Sequence, residues 1–94
     1  MTTFIMFGKY TPEAMEKISA ARTESASAII GDCGGELKAA YALLGETDII
    51  AIVAFPSIEM ALKASVELGR DLGITFKTAP AVNMDEFDKL VTGK

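Results

Sequence analysis

The segment Asp48-Ile49-Ile50-Ala51-Ile52-Val53-Ala54-Phe55, followed by Pro56-Ser57, decides the fold of this chain. It is a β-branched run of strand length in which both alternating faces are apolar. Residues 49, 51, 53 and 55 would point to one side, and residues 50, 52 and 54 to the other. A strand that is apolar on both faces must be covered on both faces. We therefore expect this segment in the middle of a sheet, with a packed layer on each side.

Apolar periodicity, caps and turn residues divide the rest of the chain into strands and helices. Thr11-Pro12 begins a long first helix and Gly34-Gly35 ends it, with a kink near residues 23–25 as an alternative to a straight helix. Ser57 is expected to cap the second helix and Gly73 to end it. The predicted strands cover residues 2–10, 36–44, 48–55 and 74–79, the last of which is broken by Pro80. The predicted helices cover residues 12 to about 33 and 57–73, and a short terminal helix is capped by Asp85. The apolar stripe of the second helix consists of Ile58, Ala61, Leu62, Ser65, Leu68 and Leu72.

The order strand, helix, strand, strand, helix, strand is the ferredoxin-like split pattern. It predicts an α+β domain over residues 1–94, in which residues 82–94 form a short C-terminal helix and tail. The four-stranded antiparallel sheet would have the order 4-1-3-2, with the first and third strands central. Lys38, Lys77 and Pro80 then fall on the edge strands, where charge and proline discourage stray pairing.

Two helices can cover only one face of such a sheet. An uncovered second face would expose about half a dozen large apolar side chains, each worth roughly 1.5–3 kcal/mol on burial. The total, on the order of 10 kcal/mol, is comparable with the stability of a small domain. We therefore predict that a second copy covers this face and forms a dimeric α/β barrel. The alternative is that the tail over residues 82–91 folds across it.

Composition excludes several classes of function. Nine basic and thirteen acidic residues give a net charge of −4, with no basic cluster, so no nucleic-acid partner is expected. The longest apolar run, residues 49–56, is far shorter than the roughly 20 residues of a membrane span. The chain has no histidine, and no metal site, cofactor or catalytic set can be assembled. One cysteine, no possible intrachain disulfide and no signal-peptide pattern favour a reducing cytoplasm.

Four polar side chains are candidates for a small-molecule site. Asp48 could be a turn aspartate that accepts backbone N–H bonds, or a carboxylate at the mouth of a pocket. Arg22 lies on the apolar register of the first helix, as a packed stem with a solvated head or as an anion clamp. Tyr41 shares the predicted face of Leu37, Ala39 and Leu43, and is either a core or interface residue or a ligand contact. Tyr10, near Lys9, has the same two interpretations.

Cys33, at the end of the first predicted helix, is a candidate nucleophile. The helix dipole disfavours a thiolate at that position, so we interpret Cys33 as a small buried hydrophobe and not as a nucleophile.

The chain resembles the GYD-domain family over about residues 4–76. The resemblance rests on Gly8-Lys9-Tyr10-Thr11, on Arg22 followed twelve residues later by Gly34-Gly35, and on residues 41–53, which contain Gly45-Glu46-Thr47-Asp48. Thr47 stands where the family's name-giving tyrosine is usual. Ala54-Phe55-Pro56-Ser57 replaces an acidic ending, so a carboxylate role at position 54 is absent. The resemblance implies a ferredoxin-like fold and a dimeric α/β barrel, and no established activity.

These observations favour a homo-oligomeric module that binds a small, partly apolar ligand through Arg22, Tyr41 and Asp48. An alternative is a cofactor-independent monooxygenase or isomerase of the dimeric-barrel type. That alternative predicts a closed cavity of a few hundred Å³ with at least two of the three side chains pointing inward. A purely structural oligomer is the third hypothesis, and it predicts no ligand-induced rise in melting temperature.

Overall fold

The computed structural model describes residues 1–93, so that Lys94, the end of the predicted tail, lies outside the described residues. The four strands form one antiparallel sheet in the order β2-β3-β1-β4, which is the predicted order 4-1-3-2 counted from the other edge. The ferredoxin-like α+β fold is therefore confirmed. The elements are β1 (Thr2–Tyr10), α1 (Pro12–Glu16), α2 (Ala20–Asp32), β2 (Glu36–Ala42), β3 (Ile49–Phe55), α3 (Ile58–Leu72), β4 (Ile74–Ala81) and α4 (Met84–Thr92).

The core lies between one face of the sheet and the helices α2 and α3. Val53 and Phe55 of β3 are fully buried there, together with Met6 of β1. The rings of Phe4 and Phe55 meet edge to face, with centroids 5.8 Å apart, a preferred aromatic geometry. β3 is thus central, as predicted, and its odd-numbered residues point into the core.

The first helix is not continuous, and the prediction of one helix over residues 12–33 is wrong. α1 ends at Glu16, and α2 starts at Ala20 after a three-residue break. The cause is Ser19, whose hydroxyl accepts a hydrogen bond from the backbone N–H of Arg22 at 3.2 Å and so caps a new helix. Residues 23–25, where a kink was the alternative to a straight helix, lie within the continuous helix α2, so the interruption is at residues 17–19 instead.

The caps of α3 are as predicted, while those at the C-terminal end differ. Ser57 caps α3, and Gly73 ends it in the left-handed conformation, with φ 69°. Asn83, not Asp85, caps α4, because its side-chain oxygen accepts from the Glu86 N–H at 2.9 Å. β4 does not break at Pro80 but continues to Ala81. The edge position explains this, since a proline without an N–H can face solvent there.

A bulge in β2 overturns the predicted face of that strand. Leu37 pairs with Val53, whereas Ala39 pairs with the very next residue of β3, Ile52. The extra residue, Lys38, reverses the alternation, so Leu37 lies on the helix-covered face and Tyr41 lies on the opposite face. The grouping of Leu37, Ala39 and Tyr41 on one face is therefore wrong.

The apolar stripe of α3 also differs in part from the prediction. Its buried residues are Ala61, Ala64, Leu68 and Leu72, whereas Ile58 and Leu62 are each 58 % exposed. Ala61 and Ala64 face the sheet because their small side chains allow the helix to approach it closely. Periodicity alone does not show which edge of a broad stripe faces inward.

The sheet face opposite the helices, here called the open face, carries Ile5, Phe7, Ile50 and Ile52 on the two central strands. Phe7 is 39 % exposed, and no residue of α4 within the described part of the chain is buried. The tail therefore leaves Phe7 uncovered, while Asn83 and Glu86 at the start of α4 line a groove together with Ile5. None of the helices in residues 1–93 has the length and apolar character needed to cross a membrane.

Candidate functional site

Asp48 connects the start of β3 to the end of β1. Its carboxylate Oδ2 accepts a hydrogen bond from the backbone N–H of Tyr10 at 3.0 Å. Its own N–H donates to the carbonyl of Gly8 at 2.9 Å, and its carbonyl accepts from the N–H of Leu43 at 2.8 Å. The interpretation of Asp48 as a turn aspartate that accepts backbone N–H bonds is confirmed.

Arg22 lies on α2 and reaches the end of α3. Its guanidinium Nη2 donates a hydrogen bond to the carbonyl oxygen of Leu72, the last residue of α3. A positive charge at this position is favourable, since the carbonyls at a helix C-terminus carry partial negative charge and lack helical partners. Arg22 thus holds α2 against the end of α3.

A small cavity beside Arg22 has a volume of about 60 Å³ and is lined by Tyr10, Ile18, Ile49 and Ile74 among others. Ligand pockets usually start at about 300 Å³. Neither Asp48 nor Tyr41 lines this cavity. The enzyme hypothesis predicted a closed chamber with at least two of the three candidates pointing inward, and this cavity does not match it.

Tyr41 lies on the other side of the sheet from Arg22. It pairs with Ile50 on the open face and is 60 % exposed. The structure therefore brings both Arg22 and Asp48 close to Tyr10, and leaves Tyr41 apart from them. The three predicted ligand contacts do not form one site within a single chain.

A groove that sequence reasoning did not predict lies at one end of the open face. It has a volume of about 540 Å³ and is lined by Phe7, Lys9, Glu46, Thr47, Thr75 and Lys77, with three neighbouring residues; we call it the lysine groove. The groove could have been predicted only from the pairing register of β1 and β4, in which Phe7 pairs with Lys77 and Lys9 pairs with Thr75. From the sequence alone, Lys77 is predicted only as a charge on an edge strand.

Lys9 is held in place over the lysine groove by a contact across the sheet. Its Nζ donates a hydrogen bond to the backbone carbonyl of Glu46 at 3.1 Å. Glu46 belongs to the turn before Asp48, and the carboxylate of Asp48 is itself engaged with the N–H of Tyr10. The turn that ends at Asp48 therefore shapes one wall of the groove.

Cys33 is buried in the core with 2 % exposure, which confirms its interpretation as a small hydrophobe. Burial raises the pKa of its thiol above the ordinary value of 9.0, and the neighbouring carboxylate of Glu67 raises it further. The Sγ lies 4.0 Å from Glu67 Oε2. A protonated, buried thiol is a poor nucleophile. Among residues 1–93, no group of three potential metal ligands comes together.

The architecture defines the class of this protein as a ferredoxin-like α+β domain with one helix-covered sheet face. The GYD domain model matches residues 4–91, and the chain belongs to the GYD domain family. No match is found among curated proteins.

Solved structures share the fold at low sequence identity. The leucine response regulatory protein LrpA of Mycobacterium tuberculosis is 11 % identical, with a TM-score of 0.58 over 88 % of this chain and 51 % of that chain. A structure described as a transcriptional regulator is likewise 11 % identical, with a TM-score of 0.58 over 89 % and 52 %. The present chain spans about half the length of these regulators, and the likeness is one of fold.

Proposed function

We propose that this protein is a self-associating binding module. Two copies pack through their open faces, and a small, partly apolar ligand is held between them. The observation that carries this proposal is the open face itself, on which Ile5, Phe7, Ile50 and Ile52 lie side by side without a covering element. Phe7 is exposed and the three isoleucines are half-buried, and a contiguous apolar patch of this kind on a small domain is typical of an interaction surface.

A second copy is the occupant that suits this surface best. The face lies on the two central strands, so a two-fold axis through it would bring the same residues of both copies together. Two sheets packed in this way share an apolar layer about 10 Å thick. α4 has no buried residue in the described part of the chain, and only its start lies beside this surface, where Asn83 and Glu86 line a groove together with Ile5.

The lysine groove supports the ligand part of the proposal. The groove opens on the same sheet face, so a second sheet packed on that face would cover the groove and enclose it. Its volume of about 540 Å³ lies within the usual range for ligand sites. The fold shared with regulators adds an analogy at the level of fold only.

The remaining parts of the proposal rest on composition. With a net charge of −4 and a calculated pI of 4.7, we propose no direct nucleic-acid contact for this domain. A lone buried cysteine suits a reducing cytoplasm. We propose no catalytic residue.

The oligomeric state tests the proposal directly. Light scattering on the wild type should give a mass near twice 10.0 kDa at micromolar concentration. Ile52→Lys should give a folded monomer, because it places a charge in the proposed interface. Leu62→Lys is the matched control on the outer surface of α3 and should remain a dimer. Ile5→Lys repeats the test should Ile52→Lys fail to fold. A wild-type monomer refutes the proposal.

A further inference from the structure

We infer that the lysine groove binds small organic carboxylates with an apolar body, with the carboxylate between Lys9 and Lys77 and the apolar part against Phe7. This inference names the ligand class and rests on the ligand-binding part of the proposed function. The groove is defined by residues of β1, β4 and the turn before β3, so it exists within one chain.

The two lysines are diagonal neighbours on one sheet face. Lys9 lies opposite Thr75 and Lys77 lies opposite Phe7 in the antiparallel register of β1 and β4. Diagonal partners in such a ladder are about 7–8 Å apart, within reach of long side chains. Both ammonium groups can therefore converge on one carboxylate, and each can donate a charge-assisted hydrogen bond to it.

The charge balance of the groove favours an anion. Among residues 1–93, neither Lys9 nor Lys77 forms an ion pair, whereas Lys38 pairs with Glu36 at 2.9 Å. Lys9 donates to a backbone carbonyl, which leaves its charge uncompensated. Glu46 lines the groove as well, so two positive charges face one negative charge. Two like charges on neighbouring strands repel each other, and a bound anion removes that repulsion.

The apolar wall of the groove favours an organic carboxylate over inorganic phosphate. The Phe7 ring is 39 % exposed beside Lys77, and it offers a surface on which an aromatic or aliphatic body can be buried. Thr47 and Thr75 add hydroxyl groups that can donate to the same anion. Inorganic phosphate has no group that would use Phe7, so it should bind more weakly than a carboxylate with an apolar body.

Phenylacetate is a suitable probe, with phenylacetamide as its uncharged isostere and inorganic phosphate as the anion without an apolar body. Titration of the ¹⁵N-labelled full chain should shift the amide signals of Lys9, Thr47, Thr75 and Lys77 with phenylacetate. Lys77→Gln and Lys9→Gln should each weaken phenylacetate binding by about fivefold. Glu46→Gln should tighten it, and Lys38→Gln, the control on the other edge strand, should leave it unchanged.

The oligomeric state of every variant, measured in parallel, separates the two proposals. Phenylacetate binding with these charge effects supports the inference whether the protein is a dimer or a monomer, and a monomer then refutes only the proposed dimer. Equal binding of phenylacetamide, stronger binding of inorganic phosphate, or shifts confined to other residues overturn the inference. A dimer in which phenylacetate causes no shift also overturns it, and leaves the self-association intact.

Discussion

The carboxylate of Asp48 accepts a hydrogen bond from the backbone N–H of Tyr10 at 3.0 Å, across 38 positions of the chain. The backbone ladder between β1 and β3 ends at the pair Gly8 and Ile49. Asp48 therefore extends the pairing beyond this pair with two bonds: its backbone N–H donates to the Gly8 carbonyl, and its side chain accepts from the Tyr10 N–H. These bonds fix the turn that carries Glu46 and Thr47 against the end of β1.

Asp48→Ala should destabilise the fold by about 1–3 kcal/mol, because the partly buried N–H of Tyr10 loses its acceptor. Asp48→Asn should cost less, since its amide oxygen can still accept that bond. Urea unfolding followed by circular dichroism measures both values. Equal losses for the two variants would contradict the role assigned to the acceptor oxygen.

Arg22→Met should destabilise the protein by about 1–2 kcal/mol, because it removes a charged donor from the carbonyl of Leu72 and keeps most of the apolar stem. Arg70→Met is the control, because Arg70 is an exposed arginine in the last turn of α3, the helix that ends at Leu72. Thermal unfolding of the two variants checks this prediction. A melting temperature for Arg22→Met as high as that of Arg70→Met would show that the contact contributes nothing.

Two glycine-to-alanine substitutions should change stability in opposite directions. A Cβ at Gly8 would clash with Ile49 and lie 2.6 Å from Phe76 Cε1, which should cost about 1–3 kcal/mol. A Cβ at Gly31, inside α2, would have no neighbour within 4 Å. Gly31→Ala should therefore stabilise the protein by up to about 1 kcal/mol through helix propensity. Chemical unfolding gives both signs, and a stabilising Gly8→Ala would contradict the described packing of β1 against β3 and β4.

The stability contribution of Cys33 should decrease as pH rises. The thiol ionises at about its ordinary pKa of 9.0 in the unfolded chain, and its pKa is raised above that value in the folded protein. The unfolded state thus loses a proton that the folded state keeps, so folding becomes less favourable above pH 9. We expect the wild type to lose stability relative to Cys33→Ala between pH 8 and pH 10, measured by urea unfolding. Parallel pH profiles would show that the thiol titrates alike in both states.

The order and type of most elements could be predicted because they depend on local signals. The two-sided apolar run of β3, the Ser57 cap and the Gly73 stop are each visible within a few residues. The break at Ser19 was missed because the apolar spacing on either side of it continues in register. The bulge at Lys38 was missed because a single extra residue leaves no mark on composition.

The candidate site was less predictable, since its contacts join residues that are distant in sequence. Asp48 could be interpreted correctly as a turn residue because that role is local. The bond from Arg22 to Leu72 spans 50 positions, and the pairing of Lys9 and Lys77 on one face requires the register of β1 and β4. Such register depends on the whole sheet, not on the pattern of one strand.

The bulge in β2 makes one position of the chain dispensable for strand geometry. Removal of Lys38 would join Leu37 directly to Ala39, whose partners Val53 and Ile52 are already consecutive. Every other side chain of β2 would keep its direction, and the loss would be limited to an exposed ion pair with Glu36 that contributes little to stability. Related chains one residue shorter in this strand can therefore present the same two surfaces, so that a gap at this position in a sequence comparison marks no change of architecture.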